Sequence, residues 1–185
     1  MIFKPTLLAG AYEIEIEPQM DERGFFARSY CRREFEQRGL NPNVAQCNIS
    51  YNRTRGTLRG MHYQAAPFGE AKLIRCLHGA IYDVIVDLRM ESPTFGQWLG
   101  FELRAERGDL SRMVYVPEGF GHGFQTLADD TEVAYQMSEF YEPSAGRGFR
   151  WNDKRFDIRW PEAVRVISER DRSYPDFAST DVAVR

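Results

Sequence analysis

Apolar and polar residues alternate along several short segments of this chain, with the period of two that is typical of a half-buried β-strand. The stretch AYEIEIEP (residues 11–18) alternates apolar with acidic positions. Gly, Pro, Asp or Asn residues separate further short strands, which are predicted at QWLGFELRAE (97–106), SRMVYVPEG (111–119), GFQTLADD (123–130) and TEVAYQMSEFY (131–141). Short, closely spaced strands of this kind indicate a β-sandwich or a β-barrel.

The segment AKLIRCLHGAIYDVIVDLR (residues 71–89) predicts two strands joined by a turn at Gly79. In its second half, the alternation assigns one face to Tyr82, Val84 and Val86 and the other to Asp83, Ile85 and Asp87. Helix is sparse by comparison. The clearest helical segment is CRREFEQRG, which should end at Gly39, and a second short helix is predicted at SERDRSYP (168–175).

Length and composition predict one globular domain over residues 1–185. With 185 residues, 43% hydrophobic and 28% charged, the chain can bury a sizeable core. Nothing in the net charge of −3 argues for nucleic-acid binding, and we expect none. No apolar run approaches the roughly 18 residues of a membrane span, and we expect no signal peptide. Cys31, Cys47 and Cys76 lack metal-type spacing, so we interpret them as reduced thiols of a cytoplasmic protein.

Two arginine–glycine pairs are candidate anion-binding positions. Arg23 precedes Gly24 in MDERGFFARSY, and Arg59 precedes Gly60 in LRGMHYQ. A guanidinium group offers paired, coplanar donors to a phosphate, and glycine allows a ligand to approach the backbone closely. Two such positions would fit a diphosphate. The alternative for each is a solvated or ion-paired surface arginine.

One motif of the chain matches half of a known metal-binding pattern. PEGFGHGF (residues 117–124) fits PxG(x)2H, the second motif of metal-binding cupin barrels. The first motif, G(x)5HxH(x)3–4E(x)6G, can be laid over residues 62–79 with His62 as its first ligand. Gln64 then occupies the second ligand position and Lys72 the acidic one. An amide replaces imidazole poorly and a protonated lysine cannot bind a cation, so we expect no metal site.

The same geometry would direct several polar side chains into one cavity, namely His62, Lys72, Asp83, His122 and Tyr135. An imidazole suits proton abstraction near neutral pH. A lysine cation suits a developing oxyanion such as an enolate, and a tyrosine can supply a proton from the opposite face. The set therefore suits proton abstraction beside a ketone followed by reprotonation. The alternative is a barrel with a few buried, hydrogen-bonded polar residues.

The chain resembles the dTDP-4-dehydrorhamnose 3,5-epimerase family, which are cupin-like sugar-nucleotide epimerases. The motifs that carry the resemblance follow one another in the order DERGFF, QCNIS, GTLRGMHYQ, AKLIRCLHGAIYDVIVDLR, VPEGFGHGFQTL, EVAYQMSEFY, GFRWND and ISERD. The resemblance implies an all-β, cupin-type double-stranded jelly-roll barrel with a few short helices. It also implies catalysis without a metal or an organic cofactor, and a homodimer whose site lies near the interface.

The resemblance also implies roles for individual residues. His62 would be the general base, Asp171 the carboxylate that orients it, Tyr135 the proton donor and Lys72 the group that stabilises the C4 enolate. The implied substrate-binding positions are Arg59, His122 and Asp83 at the sugar, Arg23 with Arg59 at the diphosphate, and Gln46, Asn48 and Phe25 at the nucleotide.

The implied reaction removes the protons at C3 and C5 of a 4-keto-6-deoxyhexose and returns protons to the opposite faces. The expected conversion is dTDP-4-dehydro-6-deoxyglucose to dTDP-4-dehydrorhamnose. Arg28 stands where many dTDP-type members carry glutamate, and Ile49 stands where a polar residue is frequent. A CDP- or GDP-linked keto-sugar, inversion at one centre only, and sugar-nucleotide binding without catalysis are therefore the alternatives.

Overall fold

The computed structural model describes residues 1–105 and 112–178. These residues form fourteen strands and two short helices. The strands are β1 (Ile2–Pro5), β2 (Tyr12–Glu15), β3 (Gln19–Asp21), β4 (Gly24–Phe26), β5 (Gln46–Asn52), β6 (Thr57–Gln64), β7 (Lys72–His78), β8 (Ala80–Asp87), β9 (Trp98–Arg104), β10 (Arg112–Val116), β11 (Phe120–Thr126), β12 (Thr131–Met137), β13 (Gly146–Gly148) and β14 (Val166–Ile167). The helices are α1 (Arg32–Glu36) and α2 (Glu169–Ser173).

Twelve of these strands form two sheets that enclose a common core. The first sheet has the order β1-β2-β10-β7-β12-β5, and the second has the order β13-β6-β11-β8-β9 with β14 added beside β6. The β14 strand runs parallel to β6, whereas the other ladders are antiparallel. Strands β3 and β4 form a separate hairpin. This architecture confirms the predicted all-β, cupin-type jelly-roll barrel with short helices.

The main core lies between the two sheets. The first sheet contributes Ile74, Cys76, Val114, Val116 and Val133, and the second contributes Ile81, Ile85, Leu103, Phe120 and Phe124. The predicted alternation of β8 is confirmed, because Ile85 faces this core whereas Val84 and Val86 pack on the opposite face of their sheet. Asp83 shares the inner face with Ile85, so β8 places a carboxylate inside the barrel.

Both sheets are also covered on their outer faces. Phe35 of α1 packs against Leu73 and Met113 on the first sheet, and Phe149 with Phe177 packs against the second. The helix predicted to end at Gly39 stops earlier, at Glu36. The chain leaves it through a turn in which the amide of Leu40 bonds to the carbonyl of Phe35, with Gly39 in the left-handed region at φ +67°.

The predicted strands are present with shifted bounds. The segment predicted at 11–18 retains Tyr12–Glu15, and the one predicted from residue 123 begins earlier, at Phe120, so that His122 lies within a strand. Positions 106 and 111, at the ends of two predicted strands, lie outside the described residues, as do residues 179–185 of the predicted domain. In the described ranges, no helix is long and apolar enough to cross a membrane.

Candidate active site

A cleft of about 310 Å³ opens between the two sheets. The first sheet lines it with Asn48, Ser50, Lys72, Tyr135 and Met137, and the second sheet lines it with Arg59, His62, His122 and Phe124. Six residues singled out from the sequence therefore meet in one place, namely Asn48, Arg59, His62, Lys72, His122 and Tyr135. They come from facing walls, so a ligand in the cleft would have polar groups on both sides.

A β-bulge in β6 allows Arg59 and His62 to share the cleft. His62 pairs with His122 and Arg59 pairs with Phe124, so two residues of β6 lie opposite Gly123 alone. Strict alternation would have placed Arg59 and His62 on opposite faces, because they are an odd number of positions apart. Gly60, at φ +135°, permits the irregularity, and a Cβ atom there would lie 2.6 Å from the Cα atom of Gly123.

His62 is held by a buried carboxylate. Its Nε2 lies 2.8 Å from Oδ1 of Asp171, whose other oxygen accepts the amide of Gly60 at 3.1 Å. Burial raises the pKa of Asp171, but the hydrogen bond and charge of His62, with smaller contributions from Gly60 and Ser168, outweigh it and lower the pKa below its ordinary value. An ionised Asp171 holds the proton on Nε2, which leaves Nδ1 as the unprotonated ring nitrogen.

The helix that carries Asp171 is short but capped. The hydroxyl of Ser168 accepts the amide of Asp171 at 3.1 Å, which satisfies an otherwise unpaired donor of the first turn. Asp171 is 4% exposed, and its hydrogen bond to His62 joins it to the cleft. The aromatic ring of Tyr174, at the end of the same helix, packs edge-on against His62 with centroids 6.0 Å apart.

Lys72 begins β7 and is buried in the cleft wall. It is 5% exposed, and its Nζ lies 3.1 Å from Oε1 of Glu70, which also lines the cleft. A buried ammonium group needs such a partner, because transfer of an unpaired charge out of water costs several kcal/mol. Glu70 thus supplies a counter-charge to the ammonium group of Lys72 in the wall of the cleft.

Tyr135 and His122 are neighbours across the cleft. Their rings pack edge-on with centroids 6.2 Å apart. Desolvation and then the negative charge of Asp83 raise the pKa of Tyr135 well above its ordinary value, so the phenol keeps its proton at neutral pH. Asp83 is fully buried and accepts a hydrogen bond from Nε2 of His122 at 2.7 Å. It is absent from the cleft lining and contacts His122, which does line the cleft.

Besides the buried Asp83 and Asp171, three further predicted positions are absent from the cleft lining. Arg23 and Phe25 belong to the β3–β4 hairpin, where the Arg23 side chain is 85% exposed and pairs with Asp21. Gln46 lies at the rim, and its side-chain oxygen accepts the amide of Tyr141 at 2.7 Å. Arg28 follows the hairpin and makes a long 3.8 Å contact with Glu34.

Several cleft residues could not be singled out from the sequence. Ser50, Glu70, Tyr141 and Arg170 line the cleft. Ser50, Tyr141 and Arg170 fall within motifs that carry the resemblance, but neither the motifs nor the spacing assigned any of the four a role. Arg170 had an indirect signal, because it precedes Asp171 in the predicted helix. Its Nε donates to the hydroxyl of Tyr174 at 2.7 Å, which ties the helix together beside His62.

The residues at the cupin metal position do not fit a cation. The side-chain amide of Gln64 donates to the carbonyls of Phe68 at 3.0 Å and Phe140 at 3.1 Å and accepts the amide of Glu142 at 2.7 Å. Lys72 contributes a positive charge beside it. Among the described residues, no three His, Cys, Asp or Glu side chains form a potential ligand set.

Known proteins share both the sequence and this fold. The family profile described as dTDP-4-dehydrorhamnose 3,5-epimerase matches residues 5–179. The dTDP-4-dehydrorhamnose 3,5-epimerase of Shigella flexneri is 42% identical over 168 residues, which cover 89% of this chain and 91% of the relative.

Two crystal structures of similarly named proteins superpose closely. The dTDP-4-dehydrorhamnose 3,5-epimerase of Elizabethkingia anophelis NUHP1 gives a TM-score of 0.91 at 40% identity, with 96% of each chain covered. That of Bacillus anthracis str. Ames, with TDP and PPi bound, gives 0.89 at 42% identity, with 95% of this chain and 99% of the other covered. Together with the jelly roll and its cleft, these similarities establish that the chain belongs to the dTDP-4-dehydrorhamnose 3,5-epimerase family.

Proposed function

We propose that this protein epimerises a nucleotide-linked 4-keto-6-deoxyhexose at C3 and C5, converting dTDP-4-dehydro-6-deoxyglucose into dTDP-4-dehydrorhamnose. The observation that carries the proposal is an imidazole on one wall of the cleft facing a phenol and an ammonium group on the other. His62 lies on β6 of the second sheet, whereas Tyr135 and Lys72 lie on β12 and β7 of the first. Membership of the family supports the same reaction.

His62 is the general base of the proposed reaction. With the Nε2 proton held by Asp171 at 2.8 Å, the lone pair of Nδ1 removes the proton from C3 or C5 of the sugar. Both carbons are acidified by the neighbouring C4 ketone. Asp171 stabilises the imidazolium that forms. We expect His62 and Asp171 together to raise the rate by about 10²–10⁴-fold.

Lys72 stabilises the intermediate. Removal of the proton moves an electron pair towards the C4 carbonyl oxygen, which becomes an enolate. The ammonium group of Lys72, oriented by Glu70 at 3.1 Å, donates to that oxygen as its negative charge develops. The interaction is stronger in the transition state than in the ketone, so it lowers the barrier rather than only tightening binding.

Tyr135 returns the proton from the other side. Its phenol is protonated at neutral pH, since its pKa is raised by desolvation and by Asp83. It gives its proton to the enolate carbon, and the carbon–oxygen double bond re-forms. The phenolate later regains a proton from water, and the imidazolium of His62 returns one to water. Because the base and the acid stand on facing walls, the returning proton arrives on the face opposite to the one removed, which inverts the centre.

The nucleotide end of the substrate is proposed to lie beyond Arg59 and Asn48. Arg59 lines the cleft and would contact the diphosphate, while Asn48 and Gln46 on β5 would contact the nucleoside. The relative from B. anthracis was crystallised with TDP and PPi bound, which supports a thymidine nucleotide. His122, oriented by Asp83, would contact the sugar.

We also propose a homodimer of single-domain subunits, in a cytoplasmic setting where nucleotide sugars are available. The β3–β4 hairpin carries Arg23 and Phe25 away from the cleft of its own chain and exposes Met20 and Phe26 at 73% each. A second subunit that covers this hairpin would bury apolar surface and bring Arg23 towards a cleft.

The test is proton NMR of dTDP-4-keto-6-deoxyglucose in deuterium oxide with the purified protein. We expect the C3 and C5 proton signals to disappear while the rhamno-configured product forms. His62→Ala should slow both processes by about 10³-fold or more, since no base replaces the imidazole. Loss of only one signal would indicate a mono-epimerase.

The matched control is His78→Ala. His78 is exposed at the end of β7, where its Nδ1 contacts the carbonyl of Asp130, and it does not line the cleft. This variant should keep wild-type turnover. A wild-type protein that binds the keto-sugar nucleotide but never exchanges its protons would contradict the proposal and favour a binding protein. Exchange with CDP- or GDP-linked keto-sugars alone would contradict the proposed thymidine nucleotide in the substrate.

A further inference from the structure

Two polar side chains of β5, Ser50 and Asn52, stand between the proposed proton donor and the proposed diphosphate ligand. Ser50 lies opposite Val133, and Tyr135 lies opposite Asn48, so Ser50 and Tyr135 are diagonal neighbours on one face of the sheet. Both line the cleft. Asn52 lies two residues further along the same strand and is 2% exposed.

The side-chain amide of Asn52 has a fixed orientation. Its Oδ1 accepts Nε of Arg59 at 2.7 Å, and a guanidinium group has no acceptor, so the oxygen must face the arginine. Its Nδ2 donates to the carbonyl of Thr131 at 3.2 Å and to Oγ of Ser50 at 3.1 Å. The amide cannot rotate without losing contacts at both ends.

This orientation determines what Ser50 can do. Because Oγ of Ser50 accepts from Asn52 at 3.1 Å, its own proton is directed elsewhere; the other contact, from Oγ to Oδ1 of Asn52, is longer at 3.4 Å. Tyr135 is the diagonal neighbour of Ser50 on the same face of the sheet, and both side chains line the cleft. We therefore infer that the phenol oxygen of Tyr135 accepts this proton.

We propose that Asn52 and Ser50 are positioning residues for the reprotonation step, because they order a chain of donors that runs from the Arg59 guanidinium to the Tyr135 oxygen. With that oxygen already accepting from Ser50, the phenol proton points into the cleft. When Tyr135 gives up the proton, the Ser50 hydroxyl still donates to the phenolate. The positive charge of Arg59, at the other end of the chain of donors, also stabilises it. The inference rests on the proposed function, in which Tyr135 is the acid.

The chain also links ligand binding to proton transfer. Asn52 holds one edge of the Arg59 guanidinium, and the carbonyl of Tyr51 accepts from Nη2 at 3.4 Å, so both anchors of Arg59 belong to β5. A diphosphate bound by Arg59 would therefore be held by the same strand that orients the acid. Loss of Asn52 should affect both events, whereas loss of Ser50 should affect only proton transfer.

The experiment compares Ser50→Ala, Asn52→Ala and Tyr135→Phe in deuterium oxide. The measured quantity is the ratio of deuterium found in recovered starting sugar to epimerised product. A slow reprotonation lets the enolate return through His62, so this ratio should rise about tenfold in Ser50→Ala, the effect of one hydrogen bond to a developing charge. Asn52→Ala should show the same rise and weaker binding of dTDP, while Ser50→Ala should bind dTDP like the wild type.

Cys47→Ala is the matched control, because it removes a thiol from the same strand at an exposed position outside the cleft. In this variant, the ratio of deuterated starting sugar to product and the affinity for dTDP should both match the wild type. Adding Ser50→Ala to Tyr135→Phe should change the ratio no further, since the two act through one group.

If exchange and product formation fell equally in Ser50→Ala, the ratio would not change and the inference would be overturned. This outcome holds even if Asn52→Ala failed to fold. A further rise in the double variant would also overturn it. A wild-type protein that neither exchanges nor epimerises would instead overturn the proposed function, so the two failures are distinguishable.

Discussion

Asp171 is a buried carboxylate that is joined to the cleft by its hydrogen bond to His62. Its oxygens are engaged by Nε2 of His62 at 2.8 Å and by the amide of Gly60 at 3.1 Å. Its charge therefore does two things: it selects the tautomer of the base, and it stabilises the strand irregularity at Gly60. Substitution of Asp171 should therefore change both the turnover number and the free energy of unfolding.

We expect Asp171→Asn to lower turnover by about 10²-fold or more, because a neutral amide stabilises the imidazolium less than a carboxylate does. It should also cost about 1–3 kcal/mol of unfolding free energy at neutral pH, through weaker hydrogen bonds to a buried group. Steady-state rates and urea unfolding measure the two effects.

The stability effect has a defined pH dependence. The pKa of Asp171 is lowered from 3.8 in the folded protein, so the carboxylate stabilises the fold above that ordinary value. The contribution is lost as the pH falls through the lower, folded value. The difference in unfolding free energy between wild type and Asp171→Asn should therefore be present above pH 3.8 and shrink at more acidic pH.

Asp153→Asn is the control for this prediction. Asp153 is equally buried, at 4% exposure, and accepts the amides of Arg155 and Phe177 away from the cleft. It should lose stability without losing turnover. A fall of activity in Asp153→Asn comparable to that in Asp171→Asn would mean that the activity loss reports general destabilisation.

The residues differ in how far the sequence could reveal them. His62, Lys72 and His122 stand at positions of the cupin motifs, so the spacing alone brings them towards one cavity. Asp171 lies 109 residues beyond His62, and no periodicity connects them; only the resemblance implied the contact that the structure contains. Asn52 belongs to none of the motifs, and its position between Arg59 and Ser50 is seen only in the folded structure.

At the scale of elements, alternation predicts most of the barrel but not its irregularities. The turn at Gly79, with strands on either side and φ +75°, follows from the pattern, and the faces of β8 follow from period two. The bulge of β6 does not. Its cause is a close approach of two backbones, at Gly60 and Gly123, that neither segment encodes by itself.

We expect Gly123→Ala to disturb this bulge. A Cβ atom at Gly123 would lie 2.8 Å from the carbonyl of Arg59 and 2.7 Å from Sδ of Met61, so the strands must separate. The unfolding free energy should fall by about 2–4 kcal/mol. Displacement of Arg59 and His62 should lower kcat/KM by about 10²-fold.

Gly69→Ala provides the comparison. A Cβ atom there would meet its nearest neighbour, Cβ of Glu118, at an ordinary 3.5 Å, so stability and kcat/KM should stay near wild type. Thermal unfolding and initial rates measured on both variants decide the matter. Wild-type kcat/KM in Gly123→Ala would show that the bulge is not needed to position the cleft residues.

At the scale of the whole molecule, the β3–β4 hairpin is the element that does not join either sheet of the barrel. Among the residues that the structure describes, its two strands pair only with each other, and an isolated two-stranded hairpin is marginally stable in water. Met20 and Phe26 are each 73% exposed. Burial against a second subunit would stabilise the hairpin and explain why Arg23 and Phe25 lie outside the cleft of their own chain.

If the hairpin completes the cleft of the partner, two defective subunits should complement each other. Arg23→Ala should raise KM about tenfold through a lost guanidinium–phosphate contact, and His62→Ala should be inactive. A purified heterodimer of the two, isolated with different affinity tags, contains one cleft with an intact His62 and the intact Arg23 of the other chain. By the two-fold symmetry of such a dimer, it should show about half the wild-type activity at a low KM. If Arg23 served its own cleft, the heterodimer would keep the high KM of Arg23→Ala, because its only active cleft would lack the arginine.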